Sequence, residues 1–128
     1  MRAIEKKMIE AIIAHRNYNG GNTRVVSNSE NSTVFLFDFP IAEINNKIVK
    51  INNQGFKTAT TKSRLNAILK VFCNNLYIYQ RNFTWMITEE KEIDLHFQSN
   101  IWLEFANTRL LNSFAICFTY MFLTTLVR

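Results

Sequence analysis

Glycine and proline are scarce in this chain, which has three glycines and one proline in 128 residues. Most turns must therefore be made by other residues. Three Asn-Asn pairs, at 45–46, 52–53 and 74–75, lie between apolar stretches where turns are needed. Because asparagine enters the left-handed backbone region more readily than most residues, we expect asparagine to make these turns.

Cysteine and histidine are also rare, with two of each. Cys73 and Cys117 have no CxxC or Cys/His spacing around them, which argues against a metal site and favours two buried, apolar thiols. His15 and His96 have no serine, cysteine or pair of carboxylates nearby in the sequence. The sequence also has no P-loop, dinucleotide-binding or HExxH motif. We therefore predict a protein that binds a partner without catalysis, cofactor or metal.

The overall composition predicts one globular domain. Hydrophobic residues make up 48% and charged residues 20%, so the chain is long and apolar enough to bury a core. The net charge of +5 is compatible with nucleic acid, an anionic membrane or an acidic protein as partner. It argues against a DNA mimic, which would be strongly acidic. Residues 1–7 have no apolar signal-peptide region, so we expect an intracellular location.

Hydrophobic periodicity predicts two helices. Residues 3–16 repeat apolar side chains at helical spacing, and Glu5 falls with other charged residues on the face predicted to contact water. Residues 61–72 show the same spacing, and either Thr60 or Thr61 is predicted to cap the N-terminus of this helix. Both apolar faces are expected to pack against a sheet.

Short apolar or alternating stretches bounded by polar turns predict antiparallel strands. Pro40 is expected at an edge or a bend, because proline cannot donate a hydrogen bond to a neighbouring strand. The predicted strands are residues 23–26, 33–39, 41–44, 48–51, 76–79, 83–87, 95–97 and 101–105. The fold class predicted from these patterns is α+β: an N-terminal helix, an antiparallel sheet of two hairpins around a central helix, and an apolar C-terminal element.

The C-terminal segment, residues 110–127, has no charged side chain and is flanked by Arg109 and Arg128. As a helix it would be about 27 Å long, close to the hydrocarbon thickness of a bilayer. Several polar side chains make it less apolar than a usual membrane-spanning helix. The alternatives are a buried element, which we favour, a membrane-associated tail and an oligomer interface. We divide the chain into an α+β domain, residues 1–107, and an apolar segment, residues 108–128.

The predicted anion site lies at the start of the second helix, where basic side chains cluster. The helix dipole favours acidic side chains at this end, so a basic cluster there costs stability unless it has a role. Free backbone N–H groups at a helix N-terminus bind anions such as phosphate. A structural alternative is that Arg64 pairs with Glu43 or with an acidic residue of the connector 89–92. The predicted nucleic-acid or anion-binding residues are Lys57, Thr60, Thr61, Lys62 and Arg64.

Four stretches of the chain belong together as a pattern: the opening residues 2–8, the segment 17–23, the TTK-x-RLN motif at 60–66 and the polar turn before Trp85. This pattern resembles that of a small domain family that is encoded by tailed bacteriophages and has no assigned function. The resemblance covers residues 1 to about 87 and implies an α+β unit that acts in the cytoplasm of an infected host. It implies no particular activity.

Three functions are open, and nucleic-acid binding is the one that we favour. Tyr77, Tyr79 and Phe83 would add stacking faces on a sheet. The second function is a protein-binding inhibitor of a host enzyme or antiviral defence complex, anchored by exposed aromatic residues. The third is a membrane-associated small protein that uses residues 110–127. Phosphate binding weakens steeply with salt, whereas an aromatic-anchored interface does not, so ionic strength separates the first two functions. The predicted partner-binding residues are Trp85, Trp102 and Phe105.

Overall fold

The computed structural model describes residues 1–89 and 93–109 of the chain. These residues form helices α1 (Ala3–Ile13) and α2 (Ala59–Phe72) together with antiparallel sheets, which confirms the predicted α+β class. The strands are β1 (Tyr18–Gly20), β2 (Thr23–Ser27), β3 (Ser32–Leu36), β4 (Phe39–Ile44), β5 (Ile48–Ile51), β6 (Leu76–Arg81), β7 (Thr84–Glu89), β8 (Ile93–His96) and β9 (Leu103–Ala106). The predicted apolar element at 110–127 lies outside the described residues, and the domain boundary at 107/108 stays a prediction.

A six-stranded sheet forms the larger part of the fold, with strand order β1-β2-β3-β4-β5-β9. Every neighbouring pair is antiparallel, and the first five strands follow one another as a meander. Successive side chains of a strand face opposite sides of the sheet, so alternate residues enter the core. The buried side chains of this sheet include Val25, Val34, Leu36, Ala42, Ile44, Val49 and Ile51.

Both helices bury the apolar side chains that recur at helical spacing. Helix α1 packs against β1, β2 and α2, and helix α2 also packs against β6. Helix α1 ends at Ile13, earlier than predicted, and Tyr18–Gly20 forms an edge strand where a simple helix end was expected. The buried apolar residues of the helices are Met8, Ile9, Ala11, Ile12, Leu65, Ala67, Ile68, Leu69 and Phe72.

The second sheet has three strands in the order β6-β7-β8. Trp85 and Ile87 of β7 are buried, and the Trp85 ring meets Phe97 edge to face at a centroid distance of 5.8 Å. Helix α2 lies along β6, where the Asn66 side chain donates to the Ile78 carbonyl at 2.9 Å and accepts from the Ile78 N–H at 2.7 Å. Asn66 thus satisfies backbone groups that an edge strand otherwise leaves unpaired. The two predicted hairpins therefore lie in different sheets.

The Asn-Asn pairs lie in turns, as predicted, but the expected reason is wrong: none of the six residues has a positive φ, and at 45–46 and 52–53 asparagine side chains act instead. Asn45 Oδ1 accepts from the N–H groups of Lys47 and Ile48 at 2.8 and 2.9 Å, which closes the turn between β4 and β5. Asn52 and Asn53 do the same in the loop before α2, each accepting from the N–H two residues further on. The side-chain oxygen replaces the carbonyl of a backbone turn in each case.

The predicted strand at 33–39 is wrong, because a turn at Phe37 and Asp38 divides it into β3 and β4. Both turn residues have a positive φ, 48° and 65°, as in the two-residue turns that match the twist of a hairpin. Pro40 lies inside β4, opposite Phe35, where the register shifts between Val34 and Phe35. The apolar pattern of the two strands continues through Phe37, so the sequence pattern did not reveal the turn.

Cys73 is buried, as predicted, and its thiol donates to the Ala106 carbonyl with an Sγ–O distance of 3.2 Å. Burial raises the pKa of this thiol to about 12. A thiol with so high a pKa is a poor nucleophile at neutral pH. Cys117 lies outside the described residues.

The turn between β6 and β7 contains a residue that a glycine would suit better. Phe83 has a φ of 65° and its side chain is 89% exposed, so its ring contributes little packing. Because a left-handed conformation costs a residue with a Cβ roughly 1 kcal/mol, we expect Phe83→Gly to raise the free energy of unfolding by about that amount. Chemical denaturation followed by circular dichroism measures the change. Phe83→Ala is the control, and an equal gain in that variant would contradict the backbone explanation.

Candidate functional site

Helix α2 begins at an exposed threonine cap. Thr58 has extended backbone, and its hydroxyl oxygen accepts from the Thr61 N–H at 3.1 Å. The Thr58 and Thr61 hydroxyls also contact each other at 2.9 Å. The predicted cap at Thr60 or Thr61 is therefore wrong by two or three residues. Gly55, with a φ of 78°, lets the chain turn from β5 into this helix.

The start of α2 carries basic side chains and no acidic one. Lys57 is exposed, Lys62 is half-buried, and the first turn contains no acidic residue. In the described ranges neither lysine forms an ion pair, and no hydrogen bond uses the N–H groups of Ala59 and Thr60. Lysine ammonium groups and unpaired N–H groups together can neutralise and bind an anion.

Exposed aromatic rings lie beside this helix start. The rings of Phe39 and Phe56 meet edge to face at a centroid distance of 5.0 Å, and their side chains are 47% and 38% exposed. The sheet register brings the β3–β4 turn, the end of β5 and the start of β9 to one end of the six-stranded sheet. We call the exposed apolar residues of these three segments the aromatic end: Phe37, Phe39, Phe56, Ile101 and Trp102.

Arg64 is buried and cannot contact a phosphate in this conformation. Its side chain is 4% exposed, and its Nη1 lies 2.7 Å from Glu5 Oε2. Its Nε also donates to the Thr23 hydroxyl at 2.9 Å. Thr61 is fully buried as well. The prediction that Arg64 and Thr61 face an anion is therefore wrong, because both side chains are buried. Arg64 holds α2 against α1 and β2, whereas the Thr61 hydroxyl contacts that of Thr58.

Glu5, expected to face water, is the partner that Arg64 requires. One carboxylate oxygen accepts from the Arg2 N–H at 3.0 Å, and the other accepts from Ser63 at 2.5 Å and from Arg64. Burial would raise the pKa of Glu5, but the hydrogen bonds from Ser63, Arg2 and Arg64 and the Arg64 charge lower it below the ordinary value of 4.5. The structural alternative, in which Arg64 forms an ion pair, is thus confirmed in kind, but the partner is Glu5 and not the predicted Glu43. Most of the acidic connector 89–92, the other predicted partner, lies outside the described residues.

The structure separates the predicted partner-binding residues. Trp85 is 1% exposed and belongs to the core, so its prediction as a surface anchor is wrong. Phe105 is half-buried and packs against the core. Trp102 is 38% exposed and lies at the aromatic end. A pattern of local apolar residues does not reveal which face of a strand another element covers, so Trp85 could not be distinguished from Trp102.

The structure places two residues in the candidate site that sequence reasoning missed. Phe56 directly precedes Lys57, and Phe39 is brought against it by the pairing of β3, β4 and β5. Phe56 could have been predicted, because an aromatic residue here directly precedes a basic residue and a threonine cap. No local signal pointed to Phe39. The candidate site therefore comprises three of the predicted residues, Lys57, Thr60 and Lys62, together with Phe39 and Phe56.

In residues 1–89 and 93–109 no three side chains of the histidine, cysteine, aspartate and glutamate types lie together as a metal site would require. Neither of the two described helices is long and apolar enough to span a bilayer. The segment 110–127, which was considered for membrane association, is not among the residues described.

Comparison with known proteins defines the class as a bacteriophage protein with an α+β fold. A family model described as Kyanoviridae Gp96 protein matches residues 1–106. The chain therefore belongs to this protein family, which is encoded by tailed bacteriophages. The expected resemblance to a phage family is therefore confirmed, and the match extends beyond residue 87 through β9. No curated protein and no solved structure matches the chain.

The buried ion pair yields a stability prediction. Arg64→Met leaves the Glu5 carboxylate buried without its cation, and we expect a loss of about 3–5 kcal/mol in the free energy of unfolding. The double variant Glu5→Gln and Arg64→Met removes both charges and is expected to recover most of that loss. Urea denaturation measures each value. The exposed pair Lys50–Glu104, at 3.9 Å, supplies the control, because Glu104→Gln should cost less than about 1 kcal/mol. If the loss in the double variant equalled the sum of the losses measured for Glu5→Gln and Arg64→Met alone, the two residues would not be coupled.

The pKa of Glu5 sets a pH dependence. Because the folded pKa is lower than the unfolded value near 4.5, the ionised carboxylate stabilises the fold fully above that value. This contribution is lost as the pH falls through the lower folded pKa. We therefore expect the difference in free energy of unfolding between the native chain and Glu5→Gln to shrink as the pH is lowered below about 4.5. Denaturation curves at a series of pH values test this, and a difference that grows toward acid pH would contradict it.

Proposed function

We propose that this protein binds single-stranded nucleic acid at the start of α2 and at the neighbouring aromatic rings, in the infected host cell. The observation that carries the proposal is the position of the Phe39–Phe56 ring pair next to Lys57 and the capped end of α2. Membership of a tailed-phage family implies action in an infected host. We place the protein in the host cytoplasm, where phage and host nucleic acids are both accessible.

The backbone of the ligand would be bound by charge. Lys57 and Lys62 project from the segment whose Ala59 and Thr60 N–H groups face outward, and the burial of Arg64 with Glu5 leaves these lysines as the cations of the helix start. Phosphate contacts of this kind give affinity and orientation without reading sequence. The Thr60 hydroxyl is half-buried beside them and adds a donor.

The bases would be bound by stacking. Phe39 and Phe56 expose ring faces that bases can cover, and base–aromatic stacking contributes about 1–3 kcal/mol per base. Bases paired in a duplex have no free face, so exposed rings favour an unpaired strand. The function therefore requires both a cationic contact and a ring.

Fluorescence anisotropy with a labelled single-stranded oligonucleotide tests the proposal. We expect Lys57→Ala with Lys62→Ala to weaken binding and to reduce the slope of log K against log salt by about 1.4, since each lost phosphate contact on a single strand removes roughly 0.7. Phe56→Leu should weaken binding with an unchanged salt slope. The control is Lys70→Ala, because Lys70 lies in the last turn of the same helix. Equal binding by all four proteins would overturn the proposal.

A protein partner is the second candidate function, and the aromatic end favours it. Phe37 is 63% exposed, and with the other apolar side chains of this end it forms the kind of patch that partner proteins cover. Such a partner, a host enzyme or an antiviral defence complex, would bind with little dependence on salt. Loss of its binding in Phe37→Ser but not in the double lysine variant would favour this function over nucleic-acid binding.

A further inference from the structure

A small cleft lies where the C-terminal ends of both helices meet the end of β4. Its apolar lining consists of Ile12 and Ile13 from α1, Ile44 from β4 and Phe72 from α2, and its volume is about 60 Å³. Because Phe72 ends α2, the cleft lies about 20 Å from the start of that helix at 1.5 Å per residue. The cleft is therefore separate from the proposed nucleic-acid site.

The polar groups that line the inner part of the cleft already have partners. The Ser32 hydroxyl lies 2.8 Å from that of Ser27. The Asn107 side chain donates to the Asn45 carbonyl at 2.7 Å and accepts from the Arg109 N–H at 3.0 Å. The apolar side chains are consequently the part of the lining that an occupant would cover.

Two further polar residues, His15 and Asn46, line the cleft and are exposed to solvent. Both can stay hydrated while the apolar wall beside them is covered. Ile13 differs from them, because it is an apolar side chain of α1 that remains 40% exposed at this cleft. An occupant that covers Ile13 removes apolar surface from water, which is favourable.

The chain itself is fixed against this cleft just after β9. The Thr108 N–H and hydroxyl both donate to the Phe72 carbonyl, at 2.8 and 3.2 Å. That carbonyl is one of the last four of α2, which have no partner within the helix. The Asn107 N–H donates to the Lys47 carbonyl at 2.9 Å. Since Arg109 lines the cleft and consecutive Cα atoms are about 3.8 Å apart, the next residue starts beside it.

The size of the cleft suits one aliphatic side chain. A water molecule needs about 10–15 Å³ of such a volume, so a cleft of about 60 Å³ has room for roughly four to six atoms of that size. A leucine side chain has four carbons, whereas even a pyrimidine base is about twice as large. The two residues that follow Arg109 are Leu110 and Leu111.

We propose that Leu110 and Leu111 anchor the apolar C-terminal segment, residues 110–127, to the domain, and that one of the two side chains fills this cleft. The segment lies outside the described residues, and it has no charged side chain that would keep it in water. Because it is joined directly to the cleft, its local concentration there is at least about millimolar, far above that of a second copy or another partner.

The anchor makes the segment part of the fold, which is one of the three alternatives that the sequence left open. A membrane-associated tail and an oligomer interface would both leave the cleft without this occupant. The anchor uses none of the residues of the proposed nucleic-acid site, so the failure of either proposal leaves the other standing.

Hydrogen exchange of the full native chain, followed by mass spectrometry, tests the anchor. We expect amides in residues 110–116 to exchange at least tenfold more slowly than those of the same sequence in an isolated synthetic peptide. Ile13→Asn places a polar group at the cleft and should speed this exchange at least threefold. The matched control is Ile101→Asn, because Ile101 is 43% exposed but lies at the aromatic end, and this variant should exchange as the native chain does.

A disulfide cross-link tests the contact directly. Ile13→Cys is combined with Leu110→Cys in one protein and with Leu111→Cys in another, both carrying Cys117→Ser. Cys73 does not compete, because burial raises the pKa of its thiol to about 12. A disulfide requires Cβ atoms about 3.5–4.5 Å apart, so we expect one of the two proteins to form the cross-link within a single chain.

Four results would overturn the anchor. They are exchange at 110–116 as fast as in the isolated peptide, protection that requires vesicles of anionic lipid, protection that rises with protein concentration, and a cross-link that forms equally well when Ile101→Cys replaces Ile13→Cys. The second result would identify a membrane as the partner of the segment, and the third a second copy of the chain. The exchange measurement on the native chain needs no variant, so it stands even if a substitution disturbs the fold.

Discussion

The ion pair between Glu5 and Arg64 is the constraint on which the arrangement of the helices depends. Glu5 belongs to the first turn of α1 and Arg64 to the second turn of α2, and both are almost fully removed from water. A charge in that position is tolerated only when its partners are complete. Arg2, Ser63 and Thr23 complete them, so the start of α1, the start of α2 and the beginning of β2 are held in one relative position.

The same pair explains why a helix begins with basic residues. Arg64 opposes the dipole of α2 when the helix is viewed alone, but its charge is compensated by a carboxylate from another helix. Lys57 and Lys62 are not compensated within the described residues. The basic cluster predicted from the sequence thus contains two kinds of cation: Arg64, which holds the fold together, and two lysines that form no ion pair within the described residues. Their proximity in the chain conceals this division.

Local features of the fold were predictable and long-range ones were not. The asparagine turn at Asn45 depends on hydrogen bonds to the residues two and three positions further on, so the sequence pattern was sufficient to identify it. The partner of Arg64 is 59 positions away, and no spacing rule connects it with Glu5. The turn at Phe37 has neither glycine nor proline, so its position was hidden. The burial of Trp85 could not be predicted for the same reason, because elements distant in the sequence decide which face of a strand is covered.

The pairing of β5 with β9 has a consequence for synthesis on the ribosome. Strand β5 ends at Ile51, and the strand that covers its edge begins only at Leu103. At the usual rates of translation, roughly 3–10 s pass before the missing strand has been made. During that interval a nascent chain exposes unpaired backbone groups along β5, a template for contact with other chains. Lys50 in the middle of this edge is the kind of charged residue that discourages such contact until the sheet is complete.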